Sequence, residues 1–281
     1  MGSQLGYVVT IKPQQVEVFV PSKDGCSNTV YLPNNVVNFV QYKLDQIVYV
    51  QWAYDDKGEA SIEYVEPLRD LMPSRFLHEL SVVHTDNFAI NYYALCTILS
   101  SITDENLIGF VDTFRCDHEF LSHFLTLGAS RNHHHSEEGG LLAHSVEVVT
   151  SVVGAMNAFE FSDKSYQVAL VAALLHDTGK AFASYLGGEI RYIPTQHEPL
   201  VFQMFSKALD VLWTNKKSWW ELLSMSWLKT HGYDSNPISL AVQNADRLSA
   251  SVSRANQLFA HAPSYYYFIH NCNRKVFRNP Q

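Results

Sequence analysis

"YQVALVAALLHDTGKAF", residues 166–182, is the stretch on which the reading of the chain turns. An unbroken apolar run, Val168–Leu175, ends on a histidine and an aspartate side by side, His176 and Asp177. The run is less than half of a membrane span, so it reads as a helix buried in a core. At 3.6 residues per turn, neighbours on a helix point about 100° apart, so both side chains can reach one ion. A neutral imidazole with a carboxylate is a suitable mixed ligand pair for a divalent transition metal. Gly179 permits a tight backbone path beside such a site, and Lys180 can reach an anionic oxygen. Taken alone, the pair is better read as a helix end without metal. What decides is whether further ligands recur along the chain.

They do recur. His144 opens the helix-like "LLAHSVEVVTSVV", and Asp246 sits between apolar positions of "LAVQNADRLSASVSR". An acid in such a place is costly unless it is paired or coordinated. Two more histidines lie between, His197 in "YIPTQHEPL" and His231 in "SWLKTHGYD". Just upstream, "SRNHHHSEEGGLLAHSVEV" (130–148) adds His133, His134 and His135. Three consecutive residues cannot face one point on a regular element. One or two of them are therefore expected to face the site, the rest packing or capping. Histidine there can donate to a phosphate or protonate a leaving oxygen near neutral pH. Gly139 and Gly140 allow a sharp turn before His144. Glu137 and Glu138 are expected in solvent, with orientation of a histidine as the alternative.

The flanking sequence divides in two. Residues 5–68 hold "YVVTI", "VEVFV", "TVYL", "QIVYVQWAY" and "SIEYVEPL", split by turn signals such as "SKDG" and "PNN". Short β-branched and aromatic runs at this spacing predict a small β-barrel of the OB or SH3-like kind, with a capping meander as the alternative. From "PLRDLMPSRFLHEL" onward, apolar residues recur at three and four positions, which predicts helices near 141–160, 163–182, 198–213, 217–230 and 237–258. The expected fold class is thus α+β. A barrel over 1–70 precedes an all-α domain over 71–281.

Composition narrows the partners. A net charge of −8 and a pI near 5.9 leave no global basic footprint, so any nucleic-acid contact must be local. Cys26, Cys96, Cys116 and Cys272 lie far apart, as reduced thiols of a cytoplasmic protein do. The start carries no signal-peptide or transit pattern, and no membrane association is expected.

The order His144…His176-Asp177…Asp246 resembles the HD-domain metal-dependent phosphohydrolases, of which "LLHDTGK" is a specific signature. "ASRNHHHSEEGGLLAHSVEV" and "ADRLSASV" resemble the metal motifs of the HD domain in TraI-type (MOB-H) conjugative relaxases. The barrel-then-HD layout resembles the YhaM-type 3′-to-5′ exoribonucleases. The HD likeness covers about residues 75–260, whereas the barrel's rests on architecture alone. No relaxase tyrosine motif is evident.

The resemblance implies an all-α fold and two divalent ions. Mn²⁺ is favoured, with Fe, Ni, Co or Mg as alternatives. By that likeness Asp177 bridges the ions, His144, His176 and Asp246 complete one site, and His197 and His231 the other. It implies a phosphodiesterase acting on single-stranded DNA or RNA, most simply a 3′-to-5′ exonuclease. Asp177, Lys180, His134 and His135 are then the catalytic candidates. His133, Lys180, Trp52 and Tyr54 are the substrate-binding candidates, the last two among barrel aromatics that also include Tyr7, Phe19 and Tyr31. Two alternatives stay open: a nucleotide or cyclic-nucleotide phosphohydrolase, and a relaxase-type DNA-processing module of a mobile element.

Overall fold

Alternation of β-branched residues with polar ones shapes the strands of residues 2–67. In the computed structural model, which describes residues 2–12, 15–21, 28–32, 42–57, 60–68, 71–72, 80, 85–130, 135–187, 197–228, 236–271 and 274–278, each expected strand is present. They are β1 (Gly2–Lys12), β2 (Gln15–Val20), β3 (Asn28–Tyr31), β4 (Ile47–Tyr54) and β5 (Ala60–Pro67). Along β2 burial alternates residue by residue, as a sheet with one packed face requires. Val8, Val16, Val18, Val20, Val48, Val50 and Val65 form its core with Leu32 and Tyr42.

The sheet is antiparallel, in the order β3-β2-β1-β4-β5. Among the described residues β3 and β5 are unpaired edges. The expected barrel is therefore an open five-stranded sheet here, since closure needs the two edge strands to hydrogen-bond.

Helix α1 (Asp86–Ser101) follows, capped by the Thr85 side chain accepting from the Phe88 N–H. It lies against the sheet, with Tyr93 stacked on Tyr49 at 4.6 Å and donating to Glu66 at 2.8 Å. The chain separates into two compact units, 1–103 with 111–122, and 104–110 with 123–281. The boundary expected near residue 70 falls inside the first unit because α1 packs on β1. Helices α2 (Ile108–Cys116) and α3 (His118–Thr126) are each divided between the units.

The second unit is helical: α4 (Gly140–Ala158), α5 (Asp163–Leu175), α6 (Thr178–Gly187), α7 (Glu198–Met204), α8 (Ser206–Asn215), α9 (Lys217–Trp227) and α10 (Pro237–Phe259). A short hairpin of β6 (Phe268–Asn271) and β7 (Arg274–Phe277) ends it. Every residue of α5 from Val168 to Leu175 is buried, which makes it the central helix that an all-apolar run predicts. It packs on α4, α9 and α10. Trp227 at the end of α9 is fully buried, donates to the Ala172 carbonyl at 3.1 Å, and meets Phe110 and Phe202 edge-on.

Helix α4 is, among the described residues, long and apolar enough to cross a membrane by length and composition. Of its apolar window 56% is buried inside the protein, as in a core helix. Among the described residues Cys96, which is buried, and Cys116 form no disulfide. Cys26 and Cys272 lie outside the described residues.

Candidate metal centre

The stretch read as one helix over 163–182 breaks at His176 and Asp177. Two side chains satisfy carbonyls that the broken helix would leave open. His176 Nδ1 donates to the Ala173 carbonyl at 2.7 Å, and the Thr178 hydroxyl donates to the Leu175 carbonyl at 2.7 Å. The first bond also fixes the tautomer of His176, leaving Nε2 with its lone pair directed away from the helix.

That nitrogen meets three other ligand atoms. His176 Nε2 lies 3.2 Å from His144 Nε2, 3.5 Å from Asp177 Oδ2 and 3.8 Å from Asp246 Oδ1. His144 Nε2 lies 3.4 Å from Asp177 Oδ2 and 3.3 Å from Asp246 Oδ1. Ligands about 2.1 Å from one tetrahedral ion stand about 3.4 Å from each other. The four residues, one from each of α4 and α10 and two from the α5–α6 joint, can hold a metal ion, their donor atoms all within 4.8 Å of one another. His144, His176 and Asp177 are buried, and Asp246 is partly exposed, which leaves the cluster one side toward solvent.

His144 is prepared in the same way as His176, by a longer chain of bonds. The Ser249 hydroxyl donates to Glu147 Oε2 at 2.6 Å, so its oxygen accepts from His144 Nδ1 at 3.0 Å. His135 Nε2 bonds the same Glu147 oxygen at 3.1 Å. The Nδ1–H of His144 is thereby fixed and its Nε2 is left for a metal, the arrangement by which hydrogen-bonded partners orient ligating histidines. Without an ion, two facing imidazole nitrogens need a proton between them. Burial resists charge on His144, but bonds to Asp177 and Asp246 outweigh it and raise its pKa to about 9. Burial keeps His176 below its usual value, against the pull of Asp177. For Asp177 burial favours the neutral acid, yet Lys180 and the surrounding histidines hold it well below the carboxylate range.

Asp177 stands between two environments. Oδ2 faces His144, His176 and the Lys180 ammonium, which is 2.6 Å away. Oδ1 receives His197 Nε2 at 2.8 Å. Lys180 is buried, and its ammonium is paired with Asp177. His197 is buried at the start of α7 and lies outside the four-residue group. Its Nδ1 has no hydrogen-bond partner among the described residues. Two glycines let these histidines approach. A Cβ on Gly179 would overlap the His197 carbonyl oxygen, and one on Gly140 the His135 carbonyl oxygen. Gly139 adopts φ 78°, a conformation open to glycine, at the turn into α4.

The other expected site residues are placed as follows. His135, at φ 49°, lies on the Nδ1 side of His144, with ring centroids 5.6 Å apart, and holds Glu147. His133, His134 and His231 lie outside the described residues. In the first unit Trp52 packs against the sheet core, its buried Nε1 without a hydrogen-bond partner among the described residues, whereas Tyr54 and Tyr31 are exposed. Tyr7 and Phe19 pair across β1 and β2 at 5.0 Å.

Sequence reasoning missed Glu147 and Ser249. Glu147 stands three positions after His144, on the same helix face, and Ser249 three after Asp246. That spacing was the available signal. No family model, curated protein or solved structure matches the chain.

Proposed function

We propose that the protein is a metal-dependent phosphodiesterase of the HD type that hydrolyses single-stranded nucleic acid, most simply as a 3′-to-5′ exonuclease. The observation that carries the reading is the convergence of two histidine Nε2 atoms, each with its Nδ1 already bonded, on two carboxylate oxygens. That donor set fits a divalent transition ion, Mn²⁺ first, then Fe, Ni or Co, with Mg²⁺ as the alternative outside that series. A bound ion supplies Lewis acidity toward a phosphoryl oxygen and a water activated near neutral pH.

The chain's residues hold and tune that centre. Asp177, kept ionised by Lys180 and its histidine neighbours, presents one oxygen to the four-residue cluster and the other to His197. His197, together with His231, which lies outside the described residues, would hold a second ion if one binds. Ser249, Glu147 and His135 position His144. Lys180 offsets negative charge beside Asp177, where a phosphate would add to it.

Incubation of end-labelled single strands of DNA and RNA with Mn²⁺, Mg²⁺ or chelator tests this reading. A metal-dependent ladder of shortening products supports it. A single nick would instead favour the relaxase-type module. Intact strands with hydrolysis of free nucleotides or cyclic dinucleotides would favour the small-molecule phosphohydrolase.

A further inference from the structure

Charge is unevenly placed along this chain. The net charge is −8, yet no Asp or Glu follows Asp246, while Arg247, Arg254, Arg274, Lys275 and Arg278 do. Arg247 and Arg254 are one heptad apart on α10, so they share nearly the same side of the helix. Arg247 is exposed and Arg254 half-buried. Among the described residues no carboxylate pairs with either of them.

Helix α10 leads into the β6–β7 hairpin, whose register sets Phe268 opposite Phe277 and His270 opposite Lys275. Directly opposed residues share a face, as do alternate residues along a strand. One face of the hairpin therefore carries Phe268, His270, Lys275 and Phe277. Phe268 lies 6.1 Å from Phe277 and 5.5 Å from His270, with the Lys275 ammonium 4.7 Å from its ring centroid. Just before the hairpin, Tyr265 and Tyr267 are 77% and 68% exposed.

A lone two-stranded hairpin is marginal in water. Here Arg278 clamps it. Its guanidinium donates to the carbonyls of Tyr266 at 2.8 Å, Pro263 at 2.7 Å and Ala262 at 3.1 Å, and lies over the Phe259 ring. Its backbone N–H donates to the Tyr267 carbonyl at 2.8 Å. Exposed aromatic rings are thus held in place by a buttress, and a contiguous apolar display of this kind marks an interaction surface.

We propose that this surface, Tyr265, Tyr267, Phe268, Phe277 and Lys275 with Arg247 and Arg254 on α10, binds single-stranded nucleic acid. Bases stack on aromatic rings and phosphates pair with cations, the combination that sequence-tolerant single-strand binding uses. Tyrosines also suit protein partners, but a stretch with five cations and no acid after Asp246 matches a polyanion. The inference deepens the phosphodiesterase reading and rests on it for the strand's destination. Asp246 and Phe259 lie on the same helix, about 20 Å apart along its axis. Arg247 and Arg254 lie between these two positions in the helix and add cations along that length.

The test is fluorescence anisotropy with the full chain and labelled 12-nucleotide DNA and RNA strands, and the matching duplex, in chelator. Single strands should bind more tightly than duplex. Tyr265→Ala/Tyr267→Ala should weaken binding about fivefold or more. Tyr265→Phe/Tyr267→Phe keeps the rings and should bind as the unaltered protein does. Lys275→Glu should weaken binding and flatten its salt dependence, by about 0.7 in log–log slope for each phosphate no longer neutralised. Circular dichroism and melting temperature establish that the variants fold. The tyrosine and Lys275 variants should still hydrolyse bis(p-nitrophenyl) phosphate at the unaltered rate with Mn²⁺. Equal binding by the alanine variant overturns the inference. So does a dimer in sedimentation that the alanine variant dissolves, since the surface would then join two copies. Hydrolysis of the small diester without strand binding sinks the surface alone. Strand binding that needs these residues, with no diester hydrolysed under any metal, supports the surface and sinks the phosphodiesterase reading.

Discussion

Gly179 and the His197 carbonyl are in such close contact that a β-carbon at position 179 would overlap the oxygen. The glycine is what allows α6 to lie against the start of α7 and brings His197 Nε2 to Asp177. Gly179→Ala should destabilise the protein by about 1–3 kcal/mol, the usual cost of overpacking, and lower activity by moving His197. Gly154→Ala is the control. It sits in the middle of α4 with nothing within 4 Å of a new Cβ, and should stabilise by up to about 1 kcal/mol. Denaturant titration of both variants checks the pair. Equal responses would mean that the close approach at His197 is not a constraint.

A second expectation concerns the bonds behind His144. Ser249→Ala removes the acceptor of its Nδ1–H, and Glu147→Gln removes the charge that orients Ser249. Each should lower metal affinity about 10–100-fold while the fold is retained, as is usual for residues that orient a ligand. Competition with a chelating dye measures the change. Unchanged affinity in both would place the metal elsewhere.

Protonation gives a third. His144 in the metal-free protein has a pKa near 9, above the ordinary 6.5. A raised pKa contributes stability that is fully present below pH 6.5 and lost as pH rises through about 9. Asp177, lowered well below 3.8, contributes stability present above that value and lost as pH falls through its depressed pKa. A metal must expel the His144 proton. Metal affinity should therefore rise about tenfold per pH unit from neutrality and level off as His144 loses its proton, with one proton released per ion. Calorimetry in buffers of different ionisation enthalpy counts that proton. A flat affinity between pH 7 and 8 would show that His144 is already neutral.

Much of this was legible in the sequence, and what was not has a physical cause. The five strands follow from β-branched alternation, but barrel closure depends on pairing between distant edge strands, which local composition does not encode. The run 163–182 read as one helix, although its unbroken apolar stretch stops at Leu175, because polar residues alone do not end a helix. The break follows from local capping bonds, His176 to Ala173 and Thr178 to Leu175. His144, His176, Asp177 and Asp246 could be picked out because an acid or imidazole in an apolar stretch needs a partner. Glu147 and Ser249 gain their role only when α4 packs on α10. Lys180 was expected to reach an anionic oxygen, and in the structure Asp177 Oδ2 is one that it reaches.

The most direct test of the account is the metal content of the full chain by elemental analysis, as purified and after reconstitution with Mn²⁺ or Fe²⁺ under reducing conditions. At least one transition ion per chain is expected, and loss of most of it in Asp177→Asn and His144→Ala proteins whose circular dichroism is unaltered. Less than one ion per chain after reconstitution, or full content in both folded variants, would contradict the metal centre on which the proposed function rests.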